Sequence, residues 1–220
     1  MFIKILAFST STAMCSVALM VSNDIIEKSV IFPCGHAQKI LLMIHRILTQ
    51  AGITLKKIDV LVFLQGPGSF VGTRIGIGVA QGLSLGFNLP LIGISTLATL
   101  AQGAWRRFGV NQVFTAIYAC TDKLYFSYYR RKSNGRWLGS NTEMLISIAE
   151  INDILFKLKK EGVFVGDGWK NYSMLFSSNS SYIYLDEILY PIARDMIPLA
   201  LQKWDDGMLC KSDEVRPIYL

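Results

Sequence analysis

The stretch that decides the fold spans residues 65–78 and reads QGPGSFVGTRIGIG. It follows an apolar run at residues 60–64 and opens with a Gly-Pro-Gly turn, after which Ser69 can cap a helix. Three interior glycines, Gly76, Gly78 and Gly82, together cost this helix on the order of 3 kcal/mol relative to alanine. Because intrinsic propensity disfavours the helix, we expect close packing against another element to stabilise it.

Small residues form two ridges along the predicted helix, one on each of two sides. The ridges repeat every four residues and consist of Gly72, Gly76 and Ala80, and of Gly78, Gly82 and Gly86. A ridge of this kind lets a helix approach its own sheet or another helix closely, and the sequence leaves both options open. Since almost the whole perimeter is small or apolar, one side is a candidate contact surface for a partner protein.

The Gly-Pro-Gly-Ser turn has two interpretations. The N–H groups at a helix N-terminus attract anions, so the turn could cradle a phosphate. However, its spacing matches neither GxxxxGK[ST] nor GxGxxG, and no lysine follows it. A tight turn with Ser69 as the helix cap is therefore the favoured interpretation, and an anion site is the weaker alternative.

The order of apolar runs and turns predicts the fold class. The first half reads as three strands, a helix, a strand, a helix, a strand and a helix, and the second half repeats this theme weakly. Two such halves predict an α/β fold of two tandem actin/Hsp70-like (ASKHA) domains, with mixed sheets flanked by helices. The predicted division is residues 1–103 for the first domain and 104–220 for a smaller, degenerate second domain.

A second helix is predicted over residues 37–51, ahead of the glycine-rich one. Its apolar stripe has a period of 3.6 and comprises Ala37, Ile40, Leu41, Ile44, Ile47, Leu48 and Ala51. Leu42 and Met43 lie outside this stripe. An isolated exposed leucine is ordinary, so the helix taken alone slightly favours a surface without function.

Composition describes a folded protein with a modest positive charge. Of the 220 residues, 51% are hydrophobic and 17% charged, and the formal charge is +6. This charge is a mild bias towards acidic partners such as RNA. The basic clusters at residues 130–132 and 157–160 read more readily as solvated strand or helix ends. Because polar residues interrupt the N-terminal apolar segment early, a signal peptide is not favoured, and we expect a cytoplasmic protein without membrane contact.

Residues suited to catalysis or metal binding are sparse. His36 and His45 lie about half a helical rotation out of phase, so they cannot share a metal. Asp167 between two glycines could be a catalytic or metal-binding carboxylate, but a turn aspartate is favoured. The turn at residues 8–12 offers hydroxyls and no carboxylate, which argues against independent ATP hydrolysis. The prediction is no catalytic residue, no metal and no cofactor.

Several segments distributed along the whole chain resemble the TsaB (YeaZ) family. They are residues 5–12 with 15–19, 66–76, 90–97, 166–168, 190–193 and 217–220. The sequence departs from the family pattern at Ser9 in place of Asp, Ala37 in place of Ser, Val71 in place of Thr, and residues 119–121 in place of Asp-Ala-Arg. Each departure removes a polar or charged group from a position that the family places at the interdomain cleft.

The resemblance implies a function and a set of partners. The family is a non-catalytic subunit of the bacterial machinery that makes threonylcarbamoyladenosine beside the anticodon of tRNAs. The resemblance implies that the helices beginning at Ala37 and Phe70 bind the catalytic paralogue TsaD, and that the surface they form can also make a homodimer. It further implies that the ATPase TsaE docks on the heterodimer and that tRNA is involved indirectly. The candidate partner-binding residues are His36, Leu42, Met43, Arg46, Arg74, Gly76, Ile77, Gly78, Gln81 and Gly82.

Two other function classes stay open beside this one. A stand-alone actin-fold ATPase or kinase is the main alternative, because the fold class is shared with such enzymes. A peptidase is the weaker one, since no nucleophile–base pair or metal pair is evident in the sequence.

Overall fold

The computed structural model describes residues 3–32, 35–158, 160–170, 172 and 183–220. Its helices are α1 His36–Gln50, α2 Phe70–Phe87, α3 Thr96–Phe108, α4 Ile151–Leu158 and α5 Ala193–Asp205. Its strands are β1 Ile5–Ser9, β2 Met14–Val21, β3 Asp24–Ile31, β4 Val60–Gly66, β5 Leu91–Ser95, β6 Gln112–Cys120, β7 Lys123–Arg131, β8 Trp137–Leu138, β9 Met144–Ser147, β10 Val163–Val165 and β11 Ile183–Tyr184.

The first sheet has the strand order β3-β2-β1-β4-β5. Strand β1 is buried throughout and pairs antiparallel with β2 and parallel with β4. Alternate residues such as Leu6 and Phe8 pack into one core cluster with the buried stripe of α1 and with α2. This double-sided burial matches the nearly continuous apolar runs of the central strands.

Helix α5 packs against the first sheet, although it lies near the end of the chain. Ala193 N–H donates to Ser16 Oγ (2.8 Å), and Lys203 Nζ donates to the carbonyl of Gly93 (2.7 Å). The compact units are accordingly residues 1–96 with 192–219, and residues 97–191. The division predicted at residues 103 and 104 assigned α5 to the second domain instead. A simple cut of the sequence misses a returning helix that covers the second face of the first sheet.

The second sheet has the order β11-β10-β6-β7-β8, and β9 also pairs with β7. Strands β6 and β7 form an antiparallel hairpin, whereas β10 runs parallel to β6. One core cluster of this unit includes residues of α3, and the other includes residues of α4 and an aromatic group in which the Phe114 and Phe164 rings lie 4.7 Å apart. Two mixed sheets flanked by helices confirm the predicted fold class.

A helix that spans a bilayer needs about 20 consecutive, predominantly apolar residues. Among the described residues, no helix is both long enough and apolar enough to cross a membrane.

Candidate functional site

The β1–β2 turn packs directly against the N-terminus of α2. Ser69 N–H donates to the carbonyl of Ser11 (2.8 Å), and Thr10 Oγ1 donates to the carbonyl of Gly72 (2.7 Å). Ser69 Oγ in turn accepts the Gly72 N–H at 3.3 Å, which confirms the predicted helix cap. A buried turn rich in hydroxyls therefore occupies the space in front of this helix.

The first glycine ridge is required by this packing. A Cβ atom at Gly72 would overlap the carbonyl oxygen of Thr10, and one at Gly76 would lie 2.8 Å from Thr10 Oγ1. At Gly68, just before the helix, it would lie 2.5 Å from the carbonyl oxygen of Ser11. The sequence left open which element approaches this glycine ridge closely. In the structure, that element is the β1–β2 turn of the same unit.

The second glycine ridge faces open space. Among the described residues, nothing lies within 4 Å of a Cβ atom built at Gly78, Gly82 or Gly86, and all three glycines are exposed. Val71 and Leu85, which are 63% and 73% exposed, lie on the same side of the helix. We call these five residues the open face of α2. It is a small-residue strip with an exposed apolar side chain towards each end.

Helix α1 contacts α2, and its exposed side differs from the predicted one. Met43, which was predicted to lie off the core stripe, is 7% exposed and belongs to the core. Leu41, which was predicted to be in the core, is half exposed, as is Leu42. The stripe is rotated by about one position, because the apolar run at residues 40–44 fits two neighbouring stripes equally well. Leu41 and Leu42 together extend the apolar surface of α1.

Two predicted contact residues of α2 are engaged within the chain. Arg74 is exposed, and its Nη1 donates to the carbonyl of Phe70 while its guanidinium lies 3.3 Å from the Phe70 ring centre. Gln81 Nε2 donates to the carbonyl of Ser212 (2.9 Å), so Gln81 anchors the C-terminal segment. The Gln81 amide therefore stabilises the fold of this unit, whereas the exposed Arg74 can still contact another protein.

His36 lies at the start of α1 and is buried. Burial lowers the pKa of its imidazole, and a hydrogen bond with the backbone of Thr12 opposes this effect only in part. Nδ1 has no hydrogen-bond partner among the described residues. A neutral, buried imidazole is a poor candidate for a surface contact.

The ten predicted partner-binding residues thus separate into three groups. The exposed ones are Leu42, Arg46, Arg74, Gly78 and Gly82. Those buried in the fold are His36, Met43, Gly76 and Ile77, and Gln81 is half-buried. Sequence reasoning missed Leu41, Val71 and Leu85, because an apolar residue carries no local signal that distinguishes an exposed position from a core position.

The carboxylate at Asp167 was the remaining candidate for chemistry. Burial raises its pKa to about 6, and its Oδ1 accepts the Tyr118 N–H at 3.2 Å. Asp167 begins a short 3-10 turn, in keeping with the favoured interpretation, whereas its carboxylate makes a long-range bond to β6. Over the ranges that the structure describes, no group of three or more His, Cys, Asp or Glu residues could hold a metal ion.

The fold and the site define an α/β protein with two mixed sheets and an exposed small-residue helix face. The family model described as TsaD: tRNA N6-adenosine threonylcarbamoyltransferase matches residues 33–205. The tRNA threonylcarbamoyladenosine biosynthesis protein TsaB of Escherichia coli K12 is 41% identical over 217 residues, which cover 99% of this chain and 94% of that protein.

Solved structures extend this similarity to the fold. A Pseudomonas aeruginosa crystal structure, described as an uncharacterized protein with similarity to peptidase YeaZ, aligns with a TM-score of 0.90 at 32% identity over the full length of both chains. A structure of YeaZ from the same organism aligns with a TM-score of 0.86 at 31% identity, also over both full chains. This chain therefore belongs to the TsaB (YeaZ) family of tRNA threonylcarbamoyladenosine biosynthesis proteins.

Proposed function

We propose that this chain is a non-catalytic scaffold subunit of the complex that installs threonylcarbamoyl on adenosine next to the anticodon of tRNAs. It acts by binding the TsaD-type catalytic paralogue. The observation that carries this proposal is the open face of α2, where glycines weaken the helix although no atom of the described residues lies within 4 Å of a Cβ built at them. A partner helix that approaches the glycine ridge closely would supply the missing contacts.

The expected partner is a protein of related architecture. A family model of the transferase matches most of this chain, so the two proteins share an architecture. Related chains can pair through equivalent surfaces, as the two copies of a homodimer do, which sets α1 and α2 against their counterparts. The same reasoning supports a homodimer through this surface when the partner is absent.

The chemistry of the surface suits an apolar contact. Leu42, Val71 and Leu85 are exposed, and complete burial of such side chains contributes roughly 1.5–3 kcal/mol each. Arg46 and Arg74 are also exposed and can supply polar contacts. Small residues between larger apolar ones give a surface that accepts ridges of a facing helix.

The alternative of a stand-alone ATPase or kinase has less support. Residues 9–12 of the first turn all carry hydroxyls, and a neutral hydroxyl holds Mg²⁺ poorly compared with a carboxylate. Isothermal calorimetry of the isolated chain with ATP and Mg²⁺ tests this directly, and turnover by the isolated chain would favour the enzyme. A casein assay of the same sample tests the peptidase alternative.

Further assembly follows from the same role. We expect a TsaE-type ATPase to dock on the heterodimer, tRNA to be involved through the assembled complex, and the whole assembly to work in the cytoplasm. Size-exclusion chromatography of the three proteins mixed together measures the order in which they associate.

Copurification with the TsaD-type protein tests the central proposal. Gly78→Leu and Gly82→Leu place a large side chain on the open face without a clash inside this chain, so each variant should fold and lose the partner. Gly76→Leu is unsuitable because its side chain would collide with Thr10. Asn152→Leu, on the exposed surface of α4, is the matched control and should retain the partner. Retention by both glycine variants would refute the proposed surface.

A further inference from the structure

A cluster of positive charge in the second unit has no role in the proposed scaffold contact. Seven of the 22 basic residues of the chain, but only one of its 16 acidic residues, fall within residues 104–138. Part of this group is the run at residues 130–132, whose favoured interpretation from the sequence is a solvated strand end. The fold adds contacts that a solvated strand end does not require.

Helix α3 and the β7–β8 turn bring these charges together. The Arg131 guanidinium lies 3.7 Å from the Trp105 ring centre, so the end of α3 adjoins the end of β7. Across the turn, Lys132 N–H donates to the carbonyl of Arg136 (2.8 Å). We call the resulting group the basic edge, and it consists of Arg106, Arg107, Arg131, Lys132 and Arg136.

The Arg131 side chain packs on an aromatic ring. Its guanidinium stacks on Trp105, and its buried Nε has no hydrogen-bond partner among the described residues. A Cβ atom at Gly135 would lie 3.0 Å from Arg131 Nη2, so the glycine leaves room for this group. The guanidinium group is planar, and two donors in one plane suit two-point recognition of a phosphate; because Nε is buried, the Nη atoms would make this contact.

Arg107 adds a second cation at the edge. Its Nη1 donates to the backbone carbonyl of Glu187 (2.9 Å), and this bond to a neutral acceptor leaves the charge in place. Its guanidinium lies 5.2 Å from the ring centre of Phe108, which is 41% exposed. The edge therefore combines cations with an exposed aromatic ring.

We propose that the basic edge binds the phosphate backbone of RNA, and specifically of the tRNA on which the pathway of this family acts. The inference rests on the proposed function, because that function brings tRNA to the complex. RNA is favoured over an acidic protein or an anionic membrane for two reasons. Planar guanidinium groups match phosphate, and the exposed Phe108 ring can stack on an unpaired base.

Binding of a tRNA transcript to the full-length chain, measured by fluorescence anisotropy at several salt concentrations, tests this proposal. The double variant Arg107→Ala/Lys132→Ala removes two exposed charges of the edge. Each phosphate contact contributes about 0.7–0.9 to the salt slope, so the slope should fall by about 1.4–1.8. At 0.1 M salt this corresponds to roughly 25- to 60-fold weaker binding. The control Lys56→Ala/Lys57→Ala removes two exposed charges elsewhere and should change binding little.

The possible outcomes separate the alternatives. Equal losses in the two double variants would assign binding to net charge and overturn the proposal, as would an unchanged Arg107→Ala/Lys132→Ala variant. Binding to anionic lipid vesicles that depends on Arg107 and Lys132, without RNA binding, would overturn it in favour of a membrane. Copurification with the TsaD-type protein should be unaffected in both double variants. If the unmodified chain fails to copurify while its RNA binding follows the edge, only the scaffold proposal fails.

Discussion

Exchanging glycines of α2 for alanine should have opposite effects on its two sides. At Gly78 and Gly82 a methyl group enters open space, because no atom in the described part of the chain lies within 4 Å of the added Cβ. Each exchange should then stabilise the isolated chain by about 0.8–1 kcal/mol through helix propensity alone. The double variant should gain about 2 kcal/mol, which for a chain of this size corresponds to a rise in Tm of roughly 4–8 °C.

On the packed side of α2, at Gly72, the same exchange to alanine should destabilise the chain. The added Cβ at Gly72 would overlap the carbonyl oxygen of Thr10, and neither backbone segment can move without disturbing the Thr10–Gly72 hydrogen bond. Overpacking of this kind costs about 1–3 kcal/mol, and loss of the hydrogen bond adds about 1 kcal/mol. These costs exceed the gain in helix propensity, so Gly72→Ala should lower the free energy of unfolding.

Thermal and urea denaturation of the isolated chain, followed by circular dichroism, measures both effects. Since the comparison is between the same substitution on two sides of one helix, changes in the unfolded state largely cancel. Destabilisation by Gly78→Ala together with a neutral Gly72→Ala would refute the assignment of packed and open sides. Copurification of the same variants with the TsaD-type protein shows whether the stabilised variants bind it more weakly.

Three further predictions concern single side chains. Met43→Ala should destabilise the chain by about 2–5 kcal/mol, because it truncates a core side chain, whereas Leu42→Ala should change stability by less than about 0.5 kcal/mol and weaken partner binding. Urea denaturation measures the first effect and copurification the second. The reverse pattern would show that α1 buries the stripe predicted from the sequence. Burial raises the pKa of Asp167 from 3.8 to about 6, so the folded state holds this proton more tightly than the unfolded state, and stability should fall as the pH rises from about 4 to about 6. Asp167→Asn should remove that part of the pH dependence in denaturation experiments at a series of pH values, and an unchanged profile would contradict the assignment. Gln81→Ala should loosen the segment at residues 208–219 by about 1 kcal/mol and increase its amide hydrogen exchange, whereas Gln50→Ala, on the exposed end of α1, should leave that exchange unchanged.

Local chemistry made part of this structure predictable. Ser69 followed by an apolar and glycine-rich run predicts where α2 begins, because the capping oxygen and the orphan N–H group lie only three residues apart. The fold class was predictable because apolar strand-like runs alternate with helical patterns along the sequence, and each of these patterns is also local. Long-range contacts were not predictable in this way: Thr10 and Gly72 are 62 residues apart, and nothing near either residue specifies the other.

The candidate site was predictable only as a pair of helices. Met43 and Leu41 are both long and apolar, and the choice between them depends on how the whole of α1 is rotated against the sheet. Gln81 could equally well have faced a partner, but the C-terminal segment supplies a carbonyl acceptor close to it. For such side chains, neighbouring residues in the sequence do not indicate whether the side chain is buried or exposed. Only the tertiary structure determines it.

The two glycine ridges of α2 argue together for a contact outside this chain. The cost of Gly72 and Gly76 is offset inside the fold, because only glycine permits the approach of the β1–β2 turn. Gly78 and Gly82 together cost the helix about 2 kcal/mol and receive no such compensation from the described part of the chain, where no atom lies within 4 Å of a Cβ built at either position. Alanine at both positions would give a more stable isolated protein with the same fold. A complex whose facing helix comes closer than alanine would allow would offset this cost, and an affinity for the TsaD-type protein that is insensitive to Gly78→Ala and Gly82→Ala would remove this reason for the proposed surface.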